Sequence, residues 1–325
     1  MRASIAGGNR ESPEARDLGP RGAPPSLRAS SPRASSRLAA RIEPVGQPGG
    51  ARHRSCDTAS LSRGFIAILA PTVIRAILFD LFDTLVDLDW GALPESEVLG
   101  RRIRSTHRAI HEALRPHSPV DFDTFARTLR EVDRELRATR AAAGLELPTV
   151  ERFRVLLQRL GVPSLEMAER LTEVHMEGIR ALVRPLPHHA GILQRLRRRV
   201  RLGVCSNFSH APTARKILEE VGLLQYVDPV VISVEVGVRK PRAEIFEVAL
   251  EQLGSAPGET LHVGDALAAD VNGATHVGIT PVWLTRRVAD PAGELERYEG
   301  PRPAHTILDL AEVEALVDQA SGEAP

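Results

Sequence analysis

Five side chains able to work on an oxyanion are scattered along this chain between its first quarter and its last: Asp80, Ser206, Lys240, Asp265 and Asp270. An aspartate can act as a nucleophile and carry a covalent acyl-phosphate. Hard carboxylate oxygens suit Mg²⁺, which also takes backbone carbonyls and waters. Such an ion would shield the nucleophile from the charge of an incoming phosphate dianion. An ammonium, a hydroxyl and the backbone N–H groups around Asn207 would hold the non-bridging oxygens as charge develops. Taken singly, each residue has an ordinary structural reading. Asp80 can open a turn, and Ser206 and Asp265 can each cap the helix that follows.

Two further features sharpen the set. The chain has only two lysines, Lys216 and Lys240, every other basic side chain being arginine or histidine. Lys216 falls in the amphipathic stretch "PTARKILEEVG", where a lysine is simply solvated. Lys240 stands in "GVRKPRAEIF", in a loop before a helix, where a compact ammonium differs from the planar guanidinium that this composition favours. The second feature is "ILFDLFDTLVDL", in which Phe82 stands two residues after Asp80.

What must position these residues is legible in the hydrophobic pattern. "VIRAILFD" is a short continuous apolar run, typical of a central parallel strand. After "RPLPHHAG", the strands "VRLGVCSN", "DPVVISVEVG", "ETLHVGD" and "TPVWL" alternate with helical stretches, which predicts right-handed βαβ units and a parallel sheet. In such sheets ligands bind outside the carboxyl ends of the strands. Asp80, Ser206-Asn207 and Asp265 fall at those ends, with Lys240 following another strand. Between the first two strands, "VERFRVLLQRLG", "LEMAERLTEVHMEGIRALV" and the stripe Phe125, Leu129, Val132 and Leu136 read as helices. The expected architecture is therefore α/β: an open parallel Rossmann-like sheet at 73–91 and 184–325, interrupted at 92–183 by a purely helical insert. Residues 1–70, rich in Arg, Ser, Pro and Gly, read as a disordered tail.

The 325 residues are 42% hydrophobic and 26% charged, with formal net charge zero, so no global field points to nucleic acid or an anionic membrane. The longest apolar run, from Gly64 to Phe79, is broken by Pro71 and Arg75 and falls short of a spanning helix. The two cysteines, Cys56 and Cys205, read as reduced thiols in a cytoplasmic protein. A small-molecule substrate is the expected partner, and nothing specifies an oligomeric state.

"FDLFDTLV", "LGVCSN", "GVRKP" and "HVGDALAAD", in that order, resemble the four motifs of the haloacid dehalogenase-like hydrolase superfamily, and the insert resembles its helical cap. The resemblance spans about residues 73 to 320. It implies that Asp80 is the nucleophile, and that Asp80, Asp265 and the backbone carbonyl of Phe82 ligate Mg²⁺ with support from Asp270. Ser206 and Lys240 would bind the phosphoryl group.

Phe82 is the departure. Phosphatases of this superfamily resemble Asp-x-Asp, the second aspartate acting as general acid and base, a role worth about 10²–10⁴-fold. Asp83 is adjacent but points elsewhere, and His188 and His189 are expected to pack where insert and core meet. Dehalogenating members carry an aromatic residue at the Phe82 position but resemble a Ser/Asn-rich fourth motif, unlike the acidic "GDALAAD". The expectation is a Mg²⁺-dependent phosphohydrolase acting on a small phosphorylated metabolite. The alternatives are a 2-haloacid dehalogenase, or a weakened phosphate-binding or regulatory member.

Overall fold

Strand β1, Ala76–Phe79, has no exposed residue at all, as its unbroken apolar sequence requires. Ile77 and Phe79 pack on one face of the sheet, and Ala76 and Leu78 on the other. Burying one such Leu, Ile or Phe side chain stabilises by about 1.5–3 kcal/mol, so β1 is pinned from both sides. The computed structural model describes residues 73–98 and 100–321; the tail expected at 1–70 lies outside them.

From β1 the chain passes through β2, Val86–Leu88, into a hairpin of β3, Glu95–Val98, and β4, Arg101–Arg104. Four helices follow: α1, His107–Leu114; α2, Phe122–Thr139; α3, Thr149–Arg159; and α4, Leu165–Arg180. Strand β5, Val183–Pro185, returns antiparallel to β2, so the insert leaves and re-enters through one two-stranded neck. The helices share a hydrophobic cluster of their own, with Phe125, Leu129, Phe153, Leu156 and Leu171 fully buried.

Then come α5, His189–Leu196; β6, Arg201–Ser206; α6, Ala211–Glu220; β7, Val230–Ile232; the single turn α7, Ser233–Val236; and α8, Ala243–Leu253. The chain ends with β8, Thr260–Gly264; α9, Asn272–His276; β9, Thr280–Leu284; α10, Pro291–Arg297; β10, His305–Ile307; and α11, Glu312–Ser321. The sheet order is β10-β9-β8-β1-β6-β7, and every pairing is parallel. Strand β1 lies between β6 and β8, with Phe79 opposite both Val204 and Val263. That register brings Asp80, Ser206 and Asp265 to one edge of the sheet.

Two expectations need correction. The stretch from 92 onward is not purely helical, because β3 and β4 pair there. Their alternation leaves Val98 buried and sets Glu95 beside Arg102 and Arg104 at 3.5 and 3.4 Å, and Gly100 supplies a left-handed φ of 72° at the turn. The strand expected over "DPVVISVEVG" is only Val230–Ile232. Ser233 begins a helical turn that ends at Gly237, with φ 84°. Among the described residues no helix is long and apolar enough to cross a membrane.

Candidate active site

Asp80 follows β1 directly, and its N–H still donates to Val263 O at 2.9 Å, which fixes the backbone as it leaves the sheet. One oxygen from each of Asp80, Asp265 and Asp270 lies within 4.8 Å of the others. Lys240 Nζ donates to Asp80 Oδ1 at 2.8 Å and to Asp270 Oδ1 at 2.6 Å, and its side chain is 2% exposed. Burial alone would lower the ammonium pKa, but the two carboxylates outweigh it and hold Lys240 above its ordinary value. Asp270 shows the converse. Burial would raise it, while Lys240 and the His262 hydrogen bond hold it well below the carboxylate range.

The Asp270 carboxylate is gripped at both oxygens. Oδ1 also accepts from His262 Nε2 at 2.9 Å, and Oδ2 accepts the Ala266 N–H at 3.0 Å. Gly264 makes this possible: a Cβ there would stand 2.2 Å from Asp270 Cγ. His262 lies inside β8 with its ring edge against Phe246, 5.0 Å between centroids, and burial lowers its pKa. It is a neutral imidazole donating to a carboxylate. His262 is the site residue that the motif pattern passes over. Its signal is a polar ring between the apolar Leu261 and Val263 of a fully buried strand, where it must find a partner.

Lys240 is held from its main chain as well. Asn207 Nδ2 donates to Lys240 O at 3.0 Å, and Lys240 N–H donates to Asn207 Oδ1 at 2.7 Å. Asn207, expected in the phosphate pocket, thus commits its side-chain amide to positioning Lys240. Ser206 Oγ is buried with no hydrogen-bond partner. An unpartnered buried hydroxyl costs about 1–3 kcal/mol, which a ligand oxygen would relieve. Asp265 is anchored by its carbonyl, which accepts Trp283 Nε1–H at 2.9 Å. Burial first, then the charges of Asp270, Asp80 and Asp83, push its carboxyl well above the usual range.

These facts test the fit of a metal. Three carboxylates converge and one ammonium offsets them, leaving repulsion that falls on Asp265. Hard oxygen donors with excess negative charge are the ligand chemistry of Mg²⁺. Asp80 and Asp265 are the freer donors, since both Asp270 oxygens already accept hydrogen bonds.

The flank occupied by Phe82 is different. Phe82 is 4% exposed and its ring lies 4.8 Å from that of Phe208. Asp83 takes a left-handed φ of 57°, tolerable for aspartate. Its carboxylate forms an ion pair with Arg287, Nε at 3.0 Å, and accepts the Leu88 N–H at 3.3 Å. His189 is buried with Nδ1 against Leu85 O at 2.9 Å, and His188 reaches Asp309 at 3.0 Å.

A model of the haloacid dehalogenase-like hydrolases matches residues 74–278. The chain is 34% identical over 168 residues to a pyrimidine 5'-nucleotidase of Escherichia coli, spanning 51% of this chain and 69% of that one. It is 33% identical over 214 residues to a glyceraldehyde 3-phosphate phosphatase of Pyrococcus abyssi, spanning 65% of this chain and 82% of that one. Among solved structures, a 2-haloacid dehalogenase of Pseudomonas syringae shares the fold, with a TM-score of 0.55 at 21% identity over 76% of this chain and 99% of that one.

Proposed function

The chain belongs to the haloacid dehalogenase-like hydrolases, and we propose that within that family it is a Mg²⁺-dependent phosphohydrolase acting on a small phosphorylated metabolite through an aspartyl-phosphate on Asp80. The observation that carries this reading is the buried Asp80–Lys240–Asp270 arrangement beside the unpartnered Ser206 hydroxyl. The names borne by its phosphatase relatives support it.

Mg²⁺, held by Asp80, Asp265 and the Phe82 carbonyl with Asp270 behind them, would neutralise phosphoryl charge. The protein's own groups do the rest. Lys240 orients Asp80 and faces the oxyanion, Ser206 donates to a phosphoryl oxygen, and main-chain N–H groups after β6 complete the cradle. An Asp80 oxygen forms the new bond to phosphorus while the bond to the leaving oxygen breaks, the electron pair departing with that oxygen. Water then cleaves the acyl-phosphate, releasing phosphate and restoring the carboxylate, the water proton passing to a phosphoryl oxygen. Phe82 offers no proton in either step, so leaving groups that depart as stable anions are favoured. The helical insert at 92–183 acts as the cap that closes on the substrate. The sparing use of cysteine supports a cytoplasmic setting.

The test is p-nitrophenyl phosphate hydrolysis with Mg²⁺, with chelator, and with Asp80→Asn. Nitrophenolate needs no proton to leave, so turnover is expected to require both the metal and Asp80. Turnover that survives either removal would overturn the mechanism. Phe82 is the observation favouring a second reading, dehalogenation. Chloride release from 2-chloropropionate, unaffected by chelator, would establish that instead.

A further inference from the structure

Outside the catalytic cluster, one carboxylate among the described residues is comparably buried. Lys240 and Asp270 belong to the site, while Glu146, 5% exposed, belongs to the insert, between α2 and α3. Its Oε1 accepts the Leu147 N–H at 2.9 Å, and its Oε2 accepts the Ser233 hydroxyl at 2.5 Å. Ser233 Oγ in turn accepts the N–H of Phe208 at 2.9 Å. Arg239 Nη1 stands 3.8 Å from Glu146 Oε1, and Arg239 Nη2 is buried with no hydrogen-bond partner.

The main chain around Glu146 is stitched to the same places. Glu146 N–H donates to Gly237 O at 2.9 Å, Arg239 N–H to Gly144 O at 3.0 Å, and Thr149 N–H to Ser209 O at 3.2 Å. Leu145 forms a bridge with Val238. The segment Gly144–Thr149 therefore touches the residues just after Ser206-Asn207 and those just before Lys240.

The serine makes this more than a packing contact. A hydroxyl has one proton to give. With the Glu146 carboxylate as its closest acceptor, Ser233 turns its proton there and presents a lone pair to Phe208 N–H. The competing acceptor, Phe208 O, is further away at 3.2 Å. A carboxylate acceptor makes the bond about twice as strong as a neutral one.

We propose that Glu146 is a positioning residue. Through Ser233 and Arg239 it sets the two loops that present the Ser206 hydroxyl and the Lys240 ammonium, so the oxyanion pocket is complete only with the insert seated. This rests on the phosphohydrolase reading for its chemistry, though not for its geometry. Misplacing catalytic groups by about 1 Å can cost on the order of 10²-fold in rate. Glu146→Ala is accordingly expected to lower kcat by about 10- to 100-fold and weaken competitive inhibition by inorganic phosphate. Glu146→Gln, which keeps the acceptor oxygen, is expected to restore most of both.

The experiment uses the full chain: amide hydrogen exchange at 206–209 and 237–240, with kcat, KM and the phosphate inhibition constant, for wild type, both Glu146 variants and Ser233→Ala. Faster exchange in both loops together with the kcat loss, partly rescued by Gln, supports the proposal. A folded Glu146→Ala protein with unchanged exchange there, or with lowered Tm but unaltered kcat, overturns it. Should Glu146→Ala not fold, Ser233→Ala is judged by the same two outcomes. If the wild type hydrolyses no phosphate ester, the phosphohydrolase reading fails, while the exchange data still decide whether Glu146 sets the loops.

Discussion

The two flanks of Asp80 are built from opposite materials. On one side Lys240, Asp270 and His262 form a buried chain of charge and hydrogen bonds. On the other side the Phe82 and Phe208 rings lie against each other, and the nearby Asp83 carboxylate is ion-paired with Arg287. On the proposed reading, the first flank binds and stabilises a phosphoryl group and the second moves no proton. Such a site would keep nucleophilic and electrostatic catalysis while giving up general acid–base catalysis, because different loops supply the two.

The largest expected effect falls on the charged flank. Lys240→Ala removes the one cation that bridges Asp80 and Asp270. Removing one partner of a buried pair costs about 3–5 kcal/mol of stability, and loss of the oxyanion donor lowers kcat by about 10²–10³-fold. Chemical denaturation and p-nitrophenyl phosphate kinetics read the two effects. A variant as stable and active as the wild type would mean that the ammonium is dispensable, and the contrast between the flanks would collapse.

A second expectation concerns the apolar flank. Phe82→Asp supplies the missing proton donor, and the rate on alkyl phosphates should rise by about 10²-fold. The rate on p-nitrophenyl phosphate, whose leaving group needs no proton, should change little. The variant should also gain an alkaline limb in its pH–rate profile for alkyl esters, where the new acid deprotonates. Equal wild-type rates on alkyl and aryl esters would show that a proton already comes from somewhere else.

What could be read in advance separates along a physical line. The positions of Asp80, Ser206 and Asp265 were legible because continuous apolar strands announce their own C-terminal ends, where ligands bind; Lys240, eight residues beyond the end of β7 at Ile232, stood out instead as one of only two lysines. The parallel sheet followed from the alternation of continuous apolar strands with helical segments. The partner of His262 was not legible, because Asp270 is eight residues away across a turn that only the fold closes. Glu146 and Ser233 lie 87 residues apart, and no local pattern connects them. The β3–β4 hairpin escaped because cross-strand Glu95–Arg pairs on an exposed surface leave only Val98 and Ile103 as apolar markers. Asn207 was placed correctly at a strand end, but the turning of its amide toward Lys240 is a tertiary fact.

The smallest expected effect tests the contrast most directly. Asp83 is the carboxylate closest in sequence to the position that Phe82 fills, and a hidden general acid would most simply be this residue. The structure argues otherwise, because the carboxylate is engaged by an ion pair with Arg287 and by the Leu88 N–H, both at Oδ1. Asparagine also adopts left-handed backbone readily, so Asp83→Asn keeps the turn while removing any acid. It should change kcat on alkyl phosphates by less than about 3-fold, far below the 10²-fold of a lost proton donor. A 10²-fold fall confined to poor leaving groups would put the acid back into the apolar flank, one residue beyond the place where Phe82 excludes it.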